Sequence, residues 1–333
     1  MRVIAYLATT LLYGSLLAAC GGGSGGSSDT VATPPTPDPE PITADFVTAQ
    51  FGSQSLATNI TFAAPNGAAL QMDIFGPSND NSTSRPLIVL ASGGGFLAQD
   101  RNSVRPIAEE FARRGYVAAT MDYRVATFAD LATAASSADV LAVAATRATH
   151  DMLAAVRFLR ASASGANSYG INGDLIFVGG ESAGAVMSLA AATFDPDDAI
   201  TNQAMADYLA ANSGVYGTVG DHDTISSIVQ GALPLSGAVI SLASLDDTDA
   251  PIYAAHEELD PVVPCYTGPE GSSNTGLVVS GSCDIIPTLT ARGATGELYL
   301  VAGDNGHVSF SDAERDEIYA GAAQFFYDEV INP

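Results

Sequence analysis

Four consecutive apolar residues, Leu175-Ile176-Phe177-Val178, lead into Gly179-Gly180-Glu181-Ser182-Ala183-Gly184, and an Ala-, Met- and Leu-rich run from Ala185 to Thr193 follows. An unbroken apolar run of that length suits a strand buried on both faces of a sheet, and the run after it suits a helix. A chain that turns from strand to helix within one residue strains the central backbone, and side chains at the flanking positions would clash. Gly180 and Gly184 relieve that crowding in the pattern G-x-S-x-G. The turn lifts the hydroxyl of Ser182 clear of the sheet, beside the positive end of the new helix.

The rest of the folded chain alternates in kind. Residues 59–64 and 69–75 are short alternating segments about Pro65-Asn66-Gly67, a hairpin signal. Residues 86–91 read as a buried strand, 104–115 as a helix stopped by Gly115, and 116–123 as a strand before a polar, Ala-rich excursion. Met152, Ala155, Val156 and Leu159 share one face of a helix over 146–161. Strands near 228–235, 251–255 and 297–301 and a helix over 312–327 complete the order. Such alternation predicts an α/β fold with a mostly parallel central sheet, helices on both faces and an antiparallel N-terminal hairpin. The segment 194–224, with a short helix at 205–211, either roofs the site or packs on the surface. The short gap between Val239 and Pro251 argues against a large cap there.

The chain starts with an address. Arg2 precedes an apolar run, residues 4–19, that is too short and too interrupted to span a bilayer. Its end, Leu17-Ala18-Ala19-Cys20, resembles the lipobox of bacterial lipoproteins. That resemblance implies a signal peptide over 1–19, a lipid anchor on Cys20 and, with Gly21 next, passage to the outer membrane. Residues 20–42 are Gly/Ser- and then Pro-rich and read as a tether, leaving 43–333 for one catalytic domain. Export to an oxidising compartment makes a disulfide the default reading for Cys265 and Cys283, which flank a Gly/Ser-rich loop. A cysteine nucleophile is disfavoured because neither residue is read on a strand-to-helix turn.

With 12 Lys+Arg, all of them arginine, against 37 Asp+Glu, the net charge is −25. So acidic a surface repels nucleic acid and polyanionic substrates and suggests a saline setting.

A hydroxyl needs a base within hydrogen-bond reach to become a nucleophile. His150, His222, His256 and His307 are the four histidines. His150 reads as an exposed helical residue, His222 as a turn residue and His256 as a buried structural residue at a strand end. His307 sits in a loop directly after the last strand, on the carboxyl edge shared with Ser182, and is the expected base. The carboxylate that orients it is expected after the preceding strand, where Glu257, Glu258 and Asp260 compete. Asp260, set at the start of the loop and followed by proline, is favoured, with Glu258 next. Asp304 is too close in sequence to partner His307 but suits a local acceptor. Ser92-Gly93-Gly94-Gly95-Phe96 follows a buried strand, and its glycines allow backbone N–H groups to point into a site. The N–H of Ala183 is a second source of donors for an oxyanion. No set of metal ligands is indicated.

In order, Ser92-Gly93-Gly94-Gly95-Phe96, Asp122-Tyr123-Arg124, Gly180-Glu181-Ser182-Ala183-Gly184, Asp260-Pro261-Val262-Val263-Pro264 and His307 resemble the α/β-hydrolases of the carboxylesterase/lipase group, near the hormone-sensitive-lipase-like and BD-FAE-like esterases. The resemblance implies a serine esterase with Ser182 as nucleophile, Asp260 as orienter, His307 as base, and Gly94, Gly95 and Ala183 around the oxyanion. It implies no cofactor, and a small-molecule or polymeric ester as substrate. Two positions depart from the pattern: Ser92 replaces a histidine, and Glu257 replaces a glycine. A peptidase of the prolyl-oligopeptidase type shares the order of the triad, but no propeller or gating stretch is present to go with it. A silent, tethered binding protein is the other rival, against which the three intact side chains argue.

Overall fold

Strands β1 (Gly52–Ala63) and β2 (Leu70–Ser78) form the expected hairpin, turned at Pro65-Asn66-Gly67 with Asn66 and Gly67 at positive φ. The structure is a computed structural model that describes residues 44–80, 82–127, 130, 137–271 and 275–333. The expected signal peptide, the tether and Cys20 lie outside the described residues. All the elements belong to one compact unit, Pro41–Pro333.

Strands β3 (Arg85–Ala91), β4 (Val117–Met121), β5 (Ile171–Glu181), β6 (Gly231–Leu235), β8 (Ile252–Glu257) and β11 (Gly296–Val301) are parallel to one another. With β2 antiparallel to β4, the sheet has eight strands in the order β1-β2-β4-β3-β5-β6-β8-β11. Because the six strands run one way, the loops after β3, β5, β8 and β11 all leave at one edge. Those are the loops carrying Gly94, Ser182, Asp260 and His307.

Consecutive residues of the central strands feed opposite cores. Leu87, Val89, Ile176 and Val178 pack against one cluster with Met152 and Val156 of α2 (Ser137–Ser164), Met187 and Leu189 of α3 (Ala183–Thr193), and Ile285 and Leu289 of α5 (Ser282–Arg292). Ile88, Leu90 and Phe177 pack with Ile107 and Phe111 of α1 (Arg105–Arg113) and with Ile318 and Phe326 of α6 (Asp312–Phe326) on the other face. This two-sided burial is why β3 and β5 read as unbroken apolar runs. Among the described residues, no helix is long and apolar enough to cross a membrane.

Three readings need correction. Helix α2 begins at Ser137, well before residue 146, and takes up part of the Ala-rich excursion; alanine favours helix even where no apolar stripe announces it. His150 is not exposed: only 1% of its surface is accessible, its Nε2 lies 3.0 Å from the carbonyl oxygen of Gly214, and burial lowers its pKa to about 4. The segment that follows α4 (Gln203–Ala211) covers that face of α2. Thirdly, a small sheet of β7 (Ala238–Val239), β9 (Gly268–Pro269) and β10 (Val278–Gly281) leads into α5, so Cys283 does stand at a strand-to-helix junction. Pro287 inside α5 and the Gly/Ser-rich approach to β10 hid both elements from the pattern. Cys283 is joined to Cys265 in a disulfide.

Candidate active site

Ser182 is the N-cap of α3 and holds φ 52° and ψ −112°, a conformation that side-chain-bearing residues rarely adopt. Its amide donates to the Leu235 carbonyl at 2.9 Å, which fixes the turn to β6. A Cβ at Gly180 or Gly184 would collide with the Ala91 carbonyl of β3, so the two glycines are set by close approach of the backbone. The Ser182 hydroxyl makes no capping bond and instead lies 2.8 Å from Nε2 of His307.

His307 stands in the loop between β11 and α6, with the β-branched Val308 after it held at φ 54°. The guanidinium of Arg315 donates to the Val308 carbonyl at 3.0 Å and to the Glu181 carboxylate at 3.2 Å. It thereby ties the histidine loop to the turn that carries Ser182. Nδ1 of His307 lies 2.7 Å from Oδ2 of Asp260, and the other carboxylate oxygen accepts from the amides of Val262 at 2.8 Å and Val263 at 3.0 Å. Burial alone would raise the Asp260 pKa. His256, His307 and the Val262 amide outweigh it and hold that pKa down at about 2. An ionised Asp260 keeps the imidazole proton on Nδ1 and leaves Nε2 able to accept the serine proton.

The competing carboxylates are engaged elsewhere. Glu257 is buried and accepts from the Ser236 hydroxyl and the Ser309 amide, each at 2.6 Å. Glu258 accepts from the Gly303 amide, and Asp304 from the Gly306 amide. His256 sits between the Ser282 hydroxyl and the Val263 carbonyl as a buried structural residue.

The loop after β3 folds back so closely that a Cβ on Gly93 would lie 3.3 Å from that of Ser182. Gly94 has φ +126° and Gly95 φ +60°, and among the described residues neither amide meets an acceptor. The Tyr123 hydroxyl stands 3.1, 3.0 and 3.2 Å from the carbonyl oxygens of Ser92, Gly93 and Ala98. The Ser92 hydroxyl accepts the Asp100 amide at 3.0 Å. The loop is therefore braced from beneath.

Gly94, Gly95, Ser182, Ala183 and His307 open onto one cavity of about 270 Å³. Its other walls are mostly apolar, with Phe96, Leu141 and Ala145, Val186 of α3, and Val262, Leu277 and Val279 beside the small sheet, where Glu270 is the one charged residue among those described. A smaller, mostly apolar cavity of about 80 Å³ adjoins it, sharing the walls Val186, Val239 and Ile240 and lined beyond them by Ile200, Met205 and Val215. Segment 194–224 therefore lines this adjoining cavity and does not touch the cavity at Ser182.

Solved structures with this arrangement of elements include esterase 2 of Thermogutta terrifontis with propionate bound, at 19% identity and a TM-score of 0.60, covering 85% of this chain and 96% of that one. The same enzyme phosphorylated by paraoxon matches at 18% identity and 0.59, with 85% and 96% covered. Residues 72–232 match the BD-FAE family. Comparison with curated proteins by sequence finds no match. The chain has the α/β-hydrolase fold.

In this fold Ser182, Asp260, His307, Gly94, Gly95 and Ala183 come together at one rim, while Cys265 and Cys283 are joined across the segment whose Leu277 and Val279 line the cavity. Sequence reasoning passed over the bracing hydroxyl of Tyr123 and the tie made by Arg315. Tyr123 stands in the sequence only as part of Asp122-Tyr123-Arg124, and Arg315 is one charged residue among Asp312, Glu314, Asp316 and Glu317 in the first turns of α6.

Proposed function

We propose that this chain is a hydrolase that cleaves carboxylic esters through an acyl-enzyme. His307 Nε2 takes the hydroxyl proton of Ser182 as the oxygen attacks the ester carbonyl, and Asp260 stabilises the imidazolium that results. The N–H groups of Gly94, Gly95 and Ala183 receive the developing oxyanion. His307 returns the proton to the departing alcohol. Water, activated by the same imidazole, then attacks the acyl carbon and frees Ser182. The reaction needs no metal or organic cofactor.

The observation that carries this reading is the unbroken hydrogen-bonded line from Ser182 through His307 to Asp260 at the mouth of an apolar cavity. The cavity favours an apolar acyl or alcohol arm, and the net charge of −25 disfavours polyanionic substrates. The test is turnover of a chain-length series of chromogenic esters by the chain and by its Ser182→Ala variant, beside matched amides. Peptide turnover without ester turnover contradicts the reading.

We further propose that the chain is exported and anchored to the outer membrane by lipid on Cys20. Supporting this is the basic start, apolar run and Leu17-Ala18-Ala19-Cys20 ending. Cys20→Ser should move the protein from the membrane to the soluble fraction; an unchanged distribution contradicts it.

A further inference from the structure

At the far end of α3 from Ser182, two acidic loops meet. Asp195-Pro196-Asp197-Asp198 follows the helix, and Asp246-Asp247-Thr248-Asp249 precedes β8. The Ala250 amide donates to the Ala192 carbonyl at 3.1 Å, which holds the loops together, and the Thr248 hydroxyl stands between them, 2.6 Å from Asp246 Oδ1 and 3.2 Å from Asp195 Oδ2. One oxygen from each of Asp195, Asp246 and Asp249 lies within 4.8 Å of the others.

Like charges this close repel, and among the described residues no arginine pairs with any of the three. Arg292, whose charge reaches Asp246, donates to the carbonyls of Leu242 and Leu245 instead. Asp249 supplies the independent sign of a ligand. Its residue is 7% exposed, its Oδ2 accepts the Asp246 amide at 2.9 Å, and its Oδ1 is buried with no partner among the described residues. A buried carboxylate oxygen without a donor is costly in a folded protein, and more so beside two further anions. Asp195, Thr248 and Asp249 also line a pocket of about 400 Å³, with room for coordinating water.

We propose that Asp195, Asp246 and Asp249 bind a calcium ion, which pins the turn after α3 to the loop before β8. The donors are hard oxygens only, which excludes a preference for soft metals. Calcium takes six to eight oxygens in a flexible geometry, whereas magnesium demands a near-ideal octahedron and gives up its waters reluctantly. Three carboxylates from two loops, beside a pocket with room for water, suit the looser cage. Its place, remote from the carboxyl edge, makes it a staple of the fold.

The test uses the full chain stripped with a chelator, then titrated with calcium chloride by calorimetry and melted with and without calcium at ionic strength matched by sodium chloride. The expected result is one binding site and a rise of about 3 °C or more in melting temperature over sodium alone. Asp249→Asn should abolish the binding heat and the calcium-dependent rise. Asp246→Asn, at a more exposed position, should do the same if the first variant folds poorly. Absence of binding heat in the unaltered chain, an equal response to sodium or magnesium, or calcium binding retained in both variants overturns the proposal.

Discussion

His307 Nδ1 and Asp260 Oδ2 stand 2.7 Å apart although 47 residues separate them in the chain. Two backbone amides hold the other Asp260 oxygen, so the carboxylate is fixed before any substrate arrives. Asp260→Asn should keep the fold but present the wrong imidazole tautomer, lowering kcat by about 10⁴ at neutral pH. Steady-state kinetics of the purified variant checks this.

The same carboxylate sets an acid limit. Its pKa in the folded chain, about 2, is below the ordinary value of 3.8. A depressed carboxylate adds stability that is complete above the unfolded value and is lost as pH falls through the folded one. The stability of the unaltered chain should therefore decline between about pH 4 and pH 2. Asp260→Asn should decline less steeply over that window, as measured by denaturant unfolding at a series of pH values.

Tyr123 offers its hydroxyl to three carbonyls beneath the glycine loop. Tyr123→Phe removes that brace and leaves the carbonyls of Ser92, Gly93 and Ala98 without the one proton they share, at about 1–2 kcal/mol of stability. We expect kcat to fall about tenfold as the glycine loop loosens, with KM little changed, because Tyr123 does not line the cavity.

Val186 lines both the cavity at Ser182 and the smaller one adjoining it. Each methylene buried there contributes about 0.8 kcal/mol, so kcat/KM should rise about fourfold per carbon along an ester series until the space is filled. Val186→Phe should preserve acetate ester turnover and cut the preference at shorter chains. A series of esters with matched leaving groups reads both effects.

The disulfide closes a segment, 18 residues in separation, whose Glu270, Leu277 and Val279 wall the cavity. Replacing Cys265 and Cys283 by serine should lower stability by about 3 kcal/mol and broaden ester preference. Thermal unfolding and the same ester series measure the two consequences.

Much of this was legible because its signals are local. The apolar run before Gly180, the glycines about Ser182 and the stop at Gly115 each act over a few residues. The shared edge of Ser182, Asp260 and His307 follows from strand direction alone. The cavity was not legible: Phe96, Leu141, Val186, Val262 and Leu277 come from five separate segments, and even the motifs that hold Phe96 and Val262 do not say that these side chains share a wall. His150 misled because its partner, Gly214, arrives from 64 residues away. Helix α5 was hidden by Pro287, which reads locally as a helix breaker.

Covalent capture at Ser182 tests the central claim most directly. Incubated with an organophosphate such as paraoxon, the intact chain should gain one phosphoryl mass on the peptide containing Ser182 and lose ester turnover in proportion, while Ser182→Ala gains no such mass and shows no turnover above background. Labelling at another residue, or ester turnover surviving in Ser182→Ala, would contradict the account.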